Sequence, residues 1–113
     1  MALFQMGRME EALAQFERAL QLDPRHAPSW ANKATCEREL GRPDEALLSI
    51  AKALELEPSE EPRLWFVKGG LEQELGRDLE AAQSYDRYIQ LAADEEDAEL
   101  VEEAKARLQA FGR

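Results

Sequence analysis

"LGRPDEALLSIAKALELEP" occupies residues 40–58, and nearly the same string, "MGRMEEALAQFERALQLDP", occupies residues 6–24. Each runs from an apolar residue through Gly-Arg and a pair of acidic side chains into an apolar stripe at helical spacing, and ends at a proline. The duplication extends along the chain. Gly-Arg recurs at Gly7-Arg8, Gly41-Arg42, Gly76-Arg77 and Gly112-Arg113, at spacings of 34, 35 and 36 residues. Counting forward from the first three glycines, the fifth residue is Ala12, Ala46 or Ala81, the ninth is Phe16, Ile50 or Tyr85, and the fifteenth is Leu22, Leu56 or Leu91. Eleven residues before Gly41 and Gly76 stand Trp30 and Trp65, the only tryptophans.

Each repeated type has a physical task. A glycine after a helix accepts the left-handed conformation that ends it without a Cβ penalty, and Pro43 suits the first turn of the next helix, where its missing N–H has no intrahelical partner anyway. Ala12, Ala34, Ala46, Ala53, Gly69 and Ala81 are small where helices must approach. Trp30, Trp65, Phe16, Ile50 and Tyr85 are large enough to fill the space between them. Pro24 and Pro58 end the second helix of each pair, since proline cannot extend the hydrogen-bond ladder. Helices are expected at 2–6, 9–22, 28–40, 43–56, 62–75, 78–91 and 94–111.

This pattern resembles the tetratricopeptide repeat, a unit of about 34 residues built from antiparallel helices A and B. The signature is carried by Trp30, Ala34, Leu40, Gly41, Ala46, Ile50, Ala53 and Pro58, and is echoed by Trp65, Gly69, Leu75, Gly76, Ala81 and Tyr85 and by Gly7, Ala12, Phe16, Ala19 and Pro24. The resemblance implies an all-α, right-handed superhelical solenoid of helix pairs forming a single domain over residues 1–113. Residues 1–26 would be a truncated first repeat, 27–60 and 61–93 full repeats, and 94–113 a capping helix. The departures are at the ends: Met1 falls in the middle of the expected first helix A, so its aromatic position does not exist, Tyr88 stands where Ala19 and Ala53 are small, and Ala93 replaces the closing proline. The last helix carries a stripe of Leu100, Val101, Ala104, Leu108 and Phe111. Its first half is crowded with carboxylates, Asp94 to Asp97, Glu99, Glu102 and Glu103, which suit the helix dipole there and give a terminal element its polar outer face.

Composition excludes several functions. The chain of 113 residues carries 24 acidic and 14 basic side chains, a net charge of -10, which opposes attraction to nucleic acid or to anionic membranes. No apolar run approaches the roughly 20 residues needed to span a bilayer, and "MALFQMG" is too short for a signal peptide. A cytoplasmic protein is expected. Cys36, the one cysteine, can form no internal disulfide and lacks companions at metal-ligand spacing; the next repeat has Leu71 at its position, so it reads as a small core residue. His26, in the loop "DPRHAP", has no nucleophile at readable spacing and reads as a solvated side chain. The acidic run lacks the glycine-containing loop that folds oxygens around calcium. No catalytic residue, metal site or cofactor is expected.

Two ion pairs recur in register, Lys33 with Glu37 and Lys68 with Glu72. In this order an i,i+4 ion pair contributes at most about 0.2–0.5 kcal/mol, so a packing role is expected for their aliphatic stems, at positions where the family more often has Leu and Tyr. Gly69-Gly70 inside a helix costs about 1 kcal/mol per glycine relative to alanine. Gly69 is accounted for by the close-contact position it shares with Ala34. For Gly70 a close approach of ligand to backbone is one reading and local tolerance the other.

In tetratricopeptide proteins the A helices line a concave groove that holds a peptide or helix of a partner. Carried onto this chain, the resemblance implies a groove of Phe4, Ala31, Asn32, Thr35, Arg38, Arg63, Phe66, Val67 and Gly70. The carboxylate-clamp subclass, which grips acidic chaperone tails, is matched only by Asn32 and Arg63; Val67 stands where a second cation belongs. Leu3, Phe4 and Phe16 are candidates for an oligomer surface, because helix 9–22 has only a stub of helix A to cover its apolar face. The expected function is therefore a non-catalytic interaction scaffold for a protein or peptide partner, with homodimerisation through the truncated repeat as a further expectation. The alternative is a regulatory or oligomerisation segment of a larger enzyme or secretion machinery.

Overall fold

Helix-forming runs punctuated by Gly-Arg and proline give six helices in the computed structural model, which describes residues 2–57, 62–92 and 98–111, with residues 2–6 described by backbone alone. They are α1 (Ala2–Leu22), α2 (Ala27–Glu39), α3 (Pro43–Leu56), α4 (Arg63–Glu74), α5 (Asp78–Leu91) and α6 (Ala98–Ala110). The described residues contain no strand. Asp94 to Asp97, Pro58 and Gly112 lie outside them.

The expected break at Gly7-Arg8 is not made: the segments 2–6 and 9–22 are one continuous helix. A one-turn helix followed by a reversal would lose ladder hydrogen bonds with no tertiary packing to replace them, whereas continuing adds one bond per residue. Gly41 and Gly76 do turn the chain, at φ of 76° and 77°. At the first turn Arg42 N–H donates to the Glu37 carbonyl at 2.8 Å and Gly41 N–H to that of Arg38 at 3.0 Å; at the second, Arg77 and Gly76 repeat these bonds to Glu72 and Gln73 at the same two distances. Both are the closing pair of a left-handed helix cap, which satisfies carbonyls the helix leaves open.

Packing divides the chain into two units, Met1–Glu57 and Pro58–Arg113. In the first, α1 packs on α2 and α2 on α3, burying Leu13 and Leu20, Ala34 and Cys36, and Ala46, Leu47, Ile50, Ala53 and Leu54. The Trp30 indole donates a 2.8 Å hydrogen bond to the Pro24 carbonyl, fastening α2 to the loop after α1. In the second, α4 packs on α5 and α5 on α6. Its buried cluster is Ala81, Tyr85, Tyr88, Ala92 and Ala104, and the expected α6 stripe of Leu100, Val101, Leu108 and Phe111 lies against it. Tyr88, large where the other repeats are small, has small Ala92 and Ala104 in the same cluster.

The recurrent ion pairs lie within the packing of each helix pair. Glu37 and Glu72 are buried, at 2% and 3% exposure. In the first unit Lys33 Nζ meets Glu37 Oε2 at 2.6 Å, the Ser49 hydroxyl donates to Glu37 Oε1 at 2.7 Å, and Lys33 Nζ reaches Ser49 Oγ at 3.3 Å. Lys68, Glu72 and Ser84 repeat the arrangement at the same three distances. Serine eight residues after the turn glycine is what brings the carboxylate inside, because it supplies a second partner from the facing helix.

Candidate peptide-binding face

On α2, Ala31, Thr35 and Arg38 stand four and three residues apart and so share one side of the helix, and Asn32 stands three residues before Thr35 on the edge of the same side. Ala31 is half-buried, while Asn32, Thr35 and Arg38 are exposed. The Thr35 hydroxyl donates to the Ala31 carbonyl at 3.3 Å, which leaves the side-chain oxygen tied to its own helix. Lys33 and Glu37 lie on a different side, engaged with Ser49 of α3. The polar side chains of the first stripe are thus presented away from the helix pair's own packing.

On α4 the expected residues differ in depth. Arg63 is exposed, Phe66 and Val67 are half-buried, and Gly70 is buried. The Phe66 ring stands edge-on to Tyr85, with centroids 5.3 Å apart, and to Tyr88, at 5.6 Å. Sequence reasoning passed over the residue that covers it, Arg107 of α6. The Arg107 guanidinium lies 5.6 Å from the Phe66 ring centroid and 5.8 Å from that of Tyr85. It donates to Gln73 Oε1 at 3.0 Å, to the Tyr85 hydroxyl at 3.3 Å, and to Glu103 Oε2 at 2.7 Å. The bond to Glu103 raises its pKa foremost, against an opposing effect of burial, and Tyr85 adds to the rise. The signal in the sequence was the Glu103–Arg107 spacing of four, next to an apolar stripe already recognised.

Of the candidate oligomer residues, Phe16 is half-buried on α1, and the side chains of Leu3 and Phe4 lie outside the described ones. His26 is exposed and precedes α2, with Nδ1 2.7 Å from the Ser29 hydroxyl, a pairing that spacing had not suggested. Ser29 is buried and the contact joins the helix start to its first turn. Cys36 is 4% exposed; burial, then Glu37 and Glu39, push its thiol pKa up, the opposite of what a nucleophilic thiolate needs. Among the described residues no three His, Cys, Asp or Glu side chains are grouped to hold a metal ion, and no helix is long and apolar enough to cross a membrane.

Several solved structures are similar to this chain in fold. The type III secretion translocator chaperone SycD of Yersinia enterocolitica has a TM-score of 0.86 and 23% identity, over 96% of this chain and 74% of that one. PcrH, in a complex with the chaperone binding region of PopD, has a TM-score of 0.82 and 26% identity over 95% of this chain and 80% of that one; PcrH is a Pseudomonas aeruginosa protein. The first TPR of Spaghetti (RPAP3), bound to the HSP90 peptide SRMEEVD, has a TM-score of 0.81 and 22% identity, over 97% and 85%. None of the curated proteins compared with the chain matches it. The family model for the tetratricopeptide repeat matches residues 3–75, which include the Gly41-Arg42 turn, the Trp30 and Trp65 positions and the small residues Ala12, Ala34, Ala46, Ala53 and Gly69, and the chain belongs to that family.

Proposed function

We propose that this chain is a protein-interaction scaffold that takes a peptide or helix of a partner protein on the exposed side of its A helices, and performs no chemistry of its own. The observation that carries the reading is the likeness to PcrH in its complex with the chaperone binding region of PopD, at 26% identity over 95% of this chain. In the first unit the stripe of Asn32, Thr35 and Arg38 offers hydrogen-bond donors and acceptors, and in the second Val67 with Phe66 offers an apolar contact, both of them features that peptide recognition uses. Val67 in place of a cation, on a chain of net charge -10, favours an apolar or basic peptide over an acidic tail. The division into a truncated repeat at 1–26, full repeats at 27–60 and 61–93 and a cap at 94–113, all within one domain, belongs to this reading, as does a cytoplasmic setting. A regulatory segment of a larger protein would use the same faces.

Fluorescence anisotropy with two labelled peptides tests it: the chaperone binding region of PopD and SRMEEVD. The PopD peptide is expected to bind, with Asn32→Ala and Val67→Asp each weakening it about tenfold, a loss of roughly 1.4 kcal/mol. Binding that ignores both substitutions defeats the assignment of the face. Tight binding of SRMEEVD defeats the preference.

Self-association through α1 has one observation in its favour, the half-buried Phe16 on a helix that packs chiefly on α2. Light scattering across a concentration series should show a dimer that Phe16→Glu dissociates without loss of helicity; a monomer at high concentration removes this reading.

A further inference from the structure

Trp30 and Trp65 occupy the same register position, but their rings are covered differently. Over Trp65 the guanidinium of Arg87 lies 5.9 Å from the ring centroid, beside Lys68 Nζ at 5.8 Å. Over Trp30 the described residues bring only Lys33 Nζ, at 5.7 Å. Arg87 stands eleven residues after Gly76, and its counterpart eleven residues after Gly41 is Lys52. Lys52 does not fold onto the indole; its ammonium pairs with Glu55 on its own helix at 3.4 Å.

An open recess of about 490 Å³ therefore remains at Trp30, with Lys52 on its lining. Leu48 forms a wall and is 74% exposed, which leaves an apolar contact open beside the indole. Glu17 of α1 and Glu45 of α3 contribute carboxylates to the same recess, and neither makes an ion pair with a described residue. Lys33 adds no net repulsion, because Glu37 neutralises it at 2.6 Å.

We propose that this recess binds an arginine side chain carried by a basic, leucine-containing segment of a partner protein. The guanidinium lies over Trp30 between Glu17 and Glu45, and the neighbouring apolar side chain covers Leu48. The second unit shows with its own Arg87 what the position accepts. A planar, weakly hydrated guanidinium stacks on an indole face and donates hydrogen bonds from its edge to carboxylates, which an ammonium does less well. The net charge of -10 draws basic segments toward the chain. The site is separate from the proposed peptide face: on α2 the stripe Trp30, Lys33, Glu37 lies roughly 130° round the helix from Ala31, Thr35, Arg38 at 3.6 residues per turn.

The test uses the capped tripeptide acetyl-Leu-Arg-Leu-amide and its citrulline counterpart, which keeps the shape and loses the charge. The reporter is the indole N–H resonance of Trp30, held in a defined bond to Pro24, with the Trp65 indole as internal control. The arginine peptide is expected to shift Trp30 saturably, with the citrulline peptide at least about tenfold weaker. The double variant Glu17→Gln, Glu45→Gln should weaken binding about fivefold, the scale of two exposed ion pairs. Glutamine keeps helix propensity at both exposed positions, so the fold is retained. No response at Trp30 up to about 20 mM peptide, a response at Trp65 alone, equal binding of the citrulline form, or unchanged binding by the double variant overturns the proposal.

Discussion

A Cβ built on Gly69 would stand 2.9 Å from Cε1 of Tyr85 and 3.0 Å from its Cδ1. The ring cannot yield, since Tyr85 is fully buried and its hydroxyl donates to Gln73 Oε1 at 3.0 Å. The same two register positions in the preceding repeat hold Ala34 and Ile50, each 1% exposed. One methyl more on the A helix there goes with a smaller side chain on the B helix.

Gly69→Ala should therefore destabilise the chain even though alanine is the better helix former. Overpacking costs about 1–3 kcal/mol, against a propensity gain of about 1 kcal/mol. A net loss of about 1 kcal/mol is expected in urea unfolding. Tyr85→Ile alone should cost more, and the pair together less than the sum, with a favourable coupling of about 1 kcal/mol. Additive losses would mean that the contact is not the reason for the glycine.

The buried triads give a second expectation. Lys33→Leu leaves Glu37, 2% exposed, with only the Ser49 hydroxyl, and should destabilise by about 3–5 kcal/mol, the usual result of stranding one member of a buried pair. Lys33→Leu combined with Glu37→Tyr restores the apolar pattern more usual in the family. It should fall within about 1 kcal/mol of the parent or above it, since Ser49 can turn its hydroxyl to a carbonyl of its own helix. Denaturation of the three proteins side by side decides it.

These two relationships differ in how far the sequence disclosed them. Gly69 was legible because the repeat register set it beside Ala34, and register is a local property. The Gly41 and Gly76 turns and the α6 stripe were legible for the same reason, since glycine conformation and helical spacing are set within a few residues. The triads were half legible: spacing gave Lys33–Glu37, but burial depends on Ser49 from another helix, and nothing in the spacing of four announces a facing hydroxyl. Gly7 misled, because the Gly-Arg pair that reverses the chain elsewhere runs through α1 unturned where packing does not call for a turn. Arg107 was missed because its partners Gln73 and Tyr85 are 34 and 22 residues away.

Arg107→Ala should loosen α6 from its unit. The guanidinium loses its stacking on Phe66 and Tyr85 and its bond to Gln73, together about 1–2 kcal/mol. The exposed pair with Glu103 adds little. Amide hydrogen exchange should quicken across 98–110 and leave α2 and α3 unchanged. Arg107→Lys should recover little of the protection, because one ammonium cannot reach Glu103 and Gln73 at once.

Cys36 fixes a dependence on alkaline pH. Burial and the neighbouring Glu37 and Glu39 raise its pKa in the folded chain above the unfolded value of about 8.5. Below that value both states hold the proton and the thiol's contribution to stability is complete. As pH rises further the unfolded chain releases the proton first, so stability falls by up to about 1.4 kcal/mol per pH unit until the native thiol ionises. Cys36→Ala lacks this slope. It should be less stable than the parent by about 1 kcal/mol at pH 7, from the atoms it removes from the core, and the gap should narrow as pH rises through the range in which the unfolded thiol ionises. Comparing the two proteins cancels the other groups that titrate in this range. A constant gap would mean that the native thiol ionises as readily as an exposed one, and rapid alkylation of the folded protein at pH 7.5 would report the same failure of burial.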